Sequence, residues 1–248
     1  MLICINFTEA ADKNSVRILS YNIHHGAGMD RKIDLARIAK VIQSVSPDLV
    51  SLQEVDNQTQ RSQKVDQAKE LARLTGMNFV YGSSLDYQGG QYGNAILSKL
   101  PIKDSKVIPL PGEPRSALCV TVSLEDSQNE FLFIATHLDT KSKPRERSVP
   151  LIEVIFKDTP NIPAILAGDL NAIPGSTTMK ELEKNWVNST SEENFFTYPV
   201  RKPNQQIDYI LHRPTTSWKV TKTQVLEEKV ASDHRPILAE LTFIPNEK

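Results

Sequence analysis

Hydrophobic and polar positions along the chain fall into short apolar runs interrupted by stretches of helical spacing. Val16 to Tyr21 is a mainly apolar run with the length of a buried strand. Ile33, Ala36, Ile38, Val41, Ile42 and Val45 recur at helical spacing, so an amphipathic helix is predicted over Ile33–Val45, stopped by Pro47. Leu49–Leu52 reads as a second buried strand, which gives residues 16 to 52 the order and length of a βαβ crossover. A second helix is predicted over Lys64–Leu74, ending at Gly76. Strand-like runs follow at Phe79–Tyr81, Ala95–Ser98, Val107–Leu110, Leu118–Leu124 and Phe131–Thr136, separated by Gly, Pro, Asn and Asp turns.

The second half repeats the scheme loosely, with helices predicted over Arg145–Phe156 and Thr177–Lys184 and strands over Ala164–Ala167, Ile207–Leu211, Trp218–Val225 and Ile237–Phe243. No Ser/Gly-rich linker, low-complexity tract or exact repeat marks a boundary, so residues 16–248 are expected to form one α/β domain with mixed sheets and helices outside. Residues 1–15 are expected to be an N-terminal extension. Its apolar start, Met1 to Asn6, followed by Thr8-Glu9-Ala10-Ala11, fits either the remnant of a secretory signal or a frayed end, since it lacks a basic start. The basic cluster Lys141, Lys143, Arg145 and Arg147 is expected to be a solvated face, with a phosphate-contacting loop as the alternative.

Composition narrows the class without naming it. With 248 residues, 39% hydrophobic and 24% charged, the chain is neither disordered nor fibrous. A net charge of -1 provides no global field to attract polyanions, so a phosphate-bearing partner must be held by a local site. Two distant cysteines, Cys4 and Cys119, exclude a disulfide framework, and Cys119 lies in an apolar run where a buried thiol is expected. No run approaches the roughly 20 apolar residues of a membrane-spanning helix.

The chemistry gathers at strand ends. Four apolar runs finish in hard oxygen ligands or proton-transfer groups: RILSY before Asn22, LVSL before Gln53-Glu54, LFIAT before His137, and AILAG before Asp169 and Asn171. Two more begin that way, with Asp208 opening DYIL and Asp233-His234 preceding RPILAELTF. If the last two strands run opposite to the first four, all six ends meet on one edge. Taken singly, Asn22, Asp169 or Asp208 reads as a turn former, Glu54 as a surface carboxylate and His137 as a buried, satisfied imidazole. Together they imply a polar site, and converging carboxylates that would repel one another suit a hard divalent cation such as Mg²⁺ or Mn²⁺. The lack of a Cys pair or closely spaced His ligands argues against structural zinc, while His24-His25 beside Asn22 leaves room for Mn²⁺ or a substrate contact.

The strings LSYNIHHG, LVSLQEVD, GNAILSKLPI, ATHLD, AGDLNAIP, IDYIL and SDHRPI, in this order over residues 16 to 243, resemble the endonuclease/exonuclease/phosphatase family. The resemblance implies a DNase I-like four-layer sandwich, two packed mixed β-sheets flanked by helices. It implies a metal-dependent phosphoesterase in which Glu54 is the principal metal ligand, with Asn22 and Asp233 close to the cation. Asp169 is similar to the residue that orients or deprotonates the attacking water, and Asn171 to the one that positions it. His234 resembles the histidine that contacts the phosphate, and Asp208 the carboxylate that orients it. His137 falls at a second phosphate-side position, Arg115 at that of an arginine binding a non-bridging oxygen, and Asn94 in a motif lining the cleft.

The family spans nucleases, phosphatases and phosphodiesterases, so the reaction is better defined than the substrate. Near-neutral charge, 6% aromatic residues and no spare length for binding loops favour a small or lipid-like phosphoester over duplex DNA, and the expected activity is that of a phosphodiesterase. An endo- or exonuclease is the first alternative and a catalytically silent module that binds a phosphorylated ligand the second. No obligate protein partner is evident.

Overall fold

The computed structural model describes residues 14–124, 129–190 and 195–245. Most of the expected N-terminal extension, with Cys4, lies outside the described residues. The elements in chain order are β1 (Ser15–Asn22), α1 (Leu35–Ser44), β2 (Leu49–Asn57), α2 (Gln67–Thr75), β3 (Asn78–Tyr87), β4 (Gly90–Ser98), β5 (Ile102–Leu110), β6 (Arg115–Ser123) and β7 (Glu130–His137). They continue as α3 (Ser142–Glu153), β8 (Ala164–Asp169), α4 (Thr177–Leu182), β9 (Val187–Asn188), β10 (Asp208–Arg213), β11 (Trp218–Val225) and β12 (Ile237–Phe243).

The strands form two six-stranded mixed sheets, ordered β11-β12-β1-β2-β4-β3 and β5-β6-β7-β8-β10-β9. Each has one parallel pair at its centre, β1 with β2 and β7 with β8. Ile18, Leu49, Leu118, Phe133, Ala167 and Ile210 meet in a core between the sheets. Leu19, Val50 and Leu52 point the other way, onto Ile38 and Ile42 of α1 and Leu71 of α2. Ile134 and Leu166 likewise pack outward on Val149 and Ile152 of α3 and Met179 and Leu182 of α4. This is the expected DNase I-like sandwich of four layers, and it explains why the central strands read as continuous apolar runs: both faces are buried.

Local chemistry sets the helix ends. The carboxylates of Asp34 and Asp66 cap α1 and α2 by accepting from the backbone N–H groups of Arg37 and Lys69, at 2.9 and 3.1 Å, so both helices start later than periodicity alone suggests. Gly76 closes α2 with a φ of +71°. The hairpin of β3 and β4 is longer than expected, because the polar stretch Ser83 to Gln91 belongs to an edge pair whose backbone bonds do not require apolar side chains. Cys119 is a buried free thiol.

The basic cluster is not a uniform solvated face. Lys141, Lys143 and Arg147 are exposed, but Arg145 is buried, donating through Nη1 to the carbonyls of Asp139 and Thr140 at 3.0 and 2.9 Å and through Nε to Thr178 Oγ1. It fastens the start of α3 to α4, a role that needs a long cation able to satisfy several acceptors.

His212 on β10 is 3% exposed, with Nδ1 on Ser189 Oγ at 2.8 Å, and burial lowers its pKa from 6.5 to about 4. A folded-state pKa below the unfolded value means that its neutral form supports the fold above pH 6.5 and that this support is lost as pH falls through 4. Wild-type protein is therefore expected to lose on the order of 2 kcal/mol more stability than His212→Asn between pH 6.5 and 4, measured by urea unfolding across that range.

Candidate active site

The site is built from the last rung of the central core. The inward-facing alternation that buries Ile18, Ala135, Ala167 and Ile210 between the sheets carries Asn22, His137, Asp169 and Asp208 to one rim, two or four residues away at the C-terminal ends of the first three strands and the N-terminal end of β10. β10 runs antiparallel to β8 with Asp208 opposite Asp169, and β12 antiparallel to β1, so the expected reversal of the last two strands holds. His137 pairs in register with Asp169 on the other side.

Contacts knit these groups together across the sheets. Asn22 Nδ2 donates to Glu54 Oε1 at 3.2 Å and to Asp169 Oδ2 at 3.1 Å, placing an amide between two carboxylates. Asp169 Oδ1 accepts from the backbone N–H of Asn171 at 2.9 Å, while Oδ2 lies 3.4 Å from His137 Nε2 and 3.7 Å from His234 Nε2. Asn171, with a left-handed φ of +48°, brings Nδ2 within 3.1 Å of His137 Nε2 and onto the carbonyl of Leu138. Asp208 Oδ2 holds His234 Nδ1 at 3.0 Å and accepts from Thr197 Oγ1 at 2.5 Å.

Burial sets the electrostatics of this network. Asp169, 2% exposed, is pushed up to about 7 by desolvation and by the neighbouring charge of Asp208, against the opposing pull of His234. Burial alone would strip the proton from His234, but Asp208 and Asp169 outweigh it and raise that imidazole to about 10. His137 is driven the other way, well below its ordinary value, by burial and by the positive charges of Arg115 and His234. Two imidazoles at one rim are thus held in opposite states, His234 cationic and His137 neutral.

Glu54 reaches the rim through a break in the alternation. In β2, Val50 and Leu52 face the helices, and an unbroken strand would send residue 54 the same way. A bulge between Leu52 and Val55 sets two residues, Gln53 and Glu54, against one on β4; Glu54 takes a φ of +58° and Val55 returns to the helix-facing core. Glu54 is connected to Asp233 by short steps: Asn22 O accepts from Ser232 Oγ at 2.7 Å, and Ser232 Oγ lies 3.3 Å from Asp233 Oδ1. His24 takes its backbone N–H to Asn22 Oδ1 at 3.1 Å and its Nδ1 to within 3.9 Å of Asp233.

Two groups of ligating atoms, each within 4.8 Å of one another, result: His24, His25 and Glu54 at the half-buried mouth, and Asp169, Asp208 and His234 below. The deeper set is already joined internally by the Asp208–His234 bond. Glu54 and Asp233 carry carboxylate oxygens of the kind a hard cation takes, and His24 and His25 add nitrogen close to Glu54.

Arg115 opens β6 beside this rim, with Nη1 on the Tyr92 hydroxyl at 3.2 Å and Nη2 on Glu113 at 3.4 Å. Asn94 is buried and donates to the carbonyl of Ser116 at 2.9 Å, tying β4 to β6 across the core rather than presenting its amide nitrogen to the cleft. Four contributors escaped the sequence reading. Thr197 holds Asp208, Tyr198 lays its ring 4.8 Å from that of His234, Tyr92 anchors Arg115, and Ser232 bridges Asn22 to Asp233. Ser232 lies inside the SDHRPI string; Thr197 and Tyr198 sit in a loop with no periodicity to reveal them.

An α/β sandwich of the DNase I-like kind, with acid, amide and imidazole groups at one rim, is the class this fold defines. The Endonuclease/Exonuclease/phosphatase family profile matches residues 19–234, and the chain belongs to that family. It is 24% identical over 247 residues to the uncharacterized protein YbhP of Escherichia coli K12, covering 92% of this chain and 96% of that one. Among solved structures, an endonuclease/exonuclease/phosphatase family protein from Bacteroides thetaiotaomicron superposes with a TM-score of 0.79 at 21% identity, covering 93% of this chain and 98% of that one. The mannosyl-6-phosphatase of Bacteroides thetaiotaomicron VPI-5482 gives 0.75 at 20%, covering 92% and 100%. Family membership supports phosphoester hydrolysis.

The glycine of AILAGD has a packing reason. A Cβ on Gly168 would lie 1.9 Å from the carbonyl oxygen of Thr136 on β7, a backbone atom that cannot move aside. Gly168→Ala is expected to cost about 3 kcal/mol or more in urea unfolding, by forcing β8 from β7 at the residue next to Asp169.

Proposed function

We propose that this chain is a divalent-cation-dependent phosphodiesterase acting on a small or lipid-like phosphoester. The observation that carries this reading is the gathering of Asn22, Glu54, Asp169, Asp208 and His234 at one rim through direct contacts, with Asp233 joined to Asn22 through Ser232. Glu54 and Asp233, with Asn22 beside them, would hold Mg²⁺ or Mn²⁺, which when bound neutralises phosphoryl charge and eases departure of the leaving oxygen. Asn22 keeps the carboxylates of Glu54 and Asp169 apart with its amide between them.

Asp169 takes the proton of the attacking water, its carboxylate held in place by the Asn171 N–H on Oδ1 and by Asn22 Nδ2 on Oδ2. Asn171 aims that water, and His137 contributes a neutral imidazole on the phosphate side. His234 donates from Nε2 to a phosphoryl oxygen, because Asp208 occupies Nδ1 and fixes the tautomer. Arg115 supplies a second donor to a non-bridging oxygen. Asn94 serves as a positioning residue behind it.

Hydrolysis of bis(p-nitrophenyl) phosphate tests this scheme. Activity is expected with Mg²⁺ or Mn²⁺ and none with EDTA, and Asp169→Asn is expected to lower kcat by at least about 10²-fold; activity indifferent to EDTA overturns the cation, and an unchanged variant overturns the role of Asp169. Asp208→Asn is expected to lower kcat roughly tenfold or more while calorimetric Mn²⁺ affinity stays within a factor of about two, since Asp208 acts through His234. Likeness to the mannosyl-6-phosphatase favours a monoesterase as second reading, separated by running p-nitrophenyl phosphate in parallel.

A further inference from the structure

Beside the rim lies a cleft of about 740 Å³, lined among others by His24 and Asp233 on one side and by Met29, Arg31, Tyr198, Arg201 and Lys202. Its walls are fastened to the segment that carries Asp233 and His234. Met29 N–H donates to Val230 O at 2.7 Å, Val200 N–H donates to Asp233 O at 2.8 Å, and the Tyr198 ring rests on His234. Gly28, also in the lining, has no room for a Cβ, which would meet Val230 O and Arg37 Nη1 at 2.6 Å. The cleft is thus a built extension of the rim.

Its lining is cationic. Arg17, Arg37, Arg61, Arg73, Arg213 and Arg235 each sit on a carboxylate. Arg31, Arg201 and Lys202 are exposed, and among the described residues their side chains have no ion-pair or hydrogen-bond partner. Three unpaired cations converge on one cleft in a chain of net charge -1, with Asp233 as the carboxylate in the lining. Two guanidinium forks and an ammonium match a phosphate dianion, and Met29 and Tyr198 give an apolar wall for its carrier. A nucleic-acid track would string cations along a surface, whereas these are confined to one pocket.

We propose that this cleft binds a second phosphate of the substrate, so that the protein acts on small phosphoesters bearing another phosphate besides the scissile one. The inference rests on the phosphoesterase reading for which phosphate is cut, but not for what the cleft binds.

The test compares fructose 1,6-bisphosphate with fructose 6-phosphate, as competitive inhibitors of bis(p-nitrophenyl) phosphate hydrolysis and, separately, as ligands in calorimetry. Wild type is expected to bind the bisphosphate at least tenfold more tightly. In Arg31→Ala and in the double variant Arg201→Ala/Lys202→Ala that preference is expected to fall below threefold, with kcat/KM for the diester within twofold of wild type. Equal binding of both sugars, a preference unchanged in the variants, or a parallel loss of diester hydrolysis overturns the proposal. So does a 12-nucleotide single strand that binds more tightly than the bisphosphate and loses affinity in the same variants. If wild type hydrolyses no diester yet calorimetry shows the expected preference and its loss, the cleft stands and the hydrolytic reading falls.

Discussion

Two carboxylates buried side by side are the constraint around which the rim is organised. Asp169 and Asp208 face each other across neighbouring antiparallel strands, each at most 2% exposed. Ionised together and unaccompanied they would repel strongly in a medium that screens little. The fold answers with a cationic imidazole touching both, with an amide from Asn22 and an N–H from Asn171 on Asp169, and with the Thr197 hydroxyl on Asp208. Removing any one of these donors leaves charge without a partner, which costs more than the bond itself contributes.

The same constraint explains why the polar groups sit at the end of the core and not within it. Between the sheets, Ile18, Ala167 and Ile210 exclude water. One rung further, the strands end and side chains of the same parity meet solvent on one side and each other on the rest. Ser51 Oγ to Ala167 O at 2.8 Å and Asn94 Nδ2 to Ser116 O at 2.9 Å make the transition, joining the sheets by hydrogen bonds where apolar packing stops.

Much of this was legible in the sequence, and for physical reasons. Runs apolar on both faces announce central strands, and a strand that ends in Asn, His or Asp shows where the core stops, so the shared rim followed from strand direction. Arg145 was misread because a basic cluster looks solvated until the carbonyls it satisfies are seen. Asn94 was placed in the cleft by its motif, yet spends its amide on Ser116. Thr197, Tyr198 and Tyr92 act through pairings remote in sequence, which no local pattern encodes. Glu54 was identified by its motif, whereas the backbone feature that aims it has no periodic signature.

That feature, the extra residue in β2, acts as a phase shift in the strand. Upstream, even-numbered positions such as Val50 and Leu52 belong to the helix layer; downstream, odd-numbered Val55 does. Deleting one residue there would restore a uniform pleat with Val55 still on the helix side, whereas flattening the bulge with every residue kept would send Glu54 toward the helices and turn Val55 toward the opposite sheet. The extra residue is what lets one strand supply a carboxylate to the mouth of the cleft and still keep its apolar side chains under the helix layer.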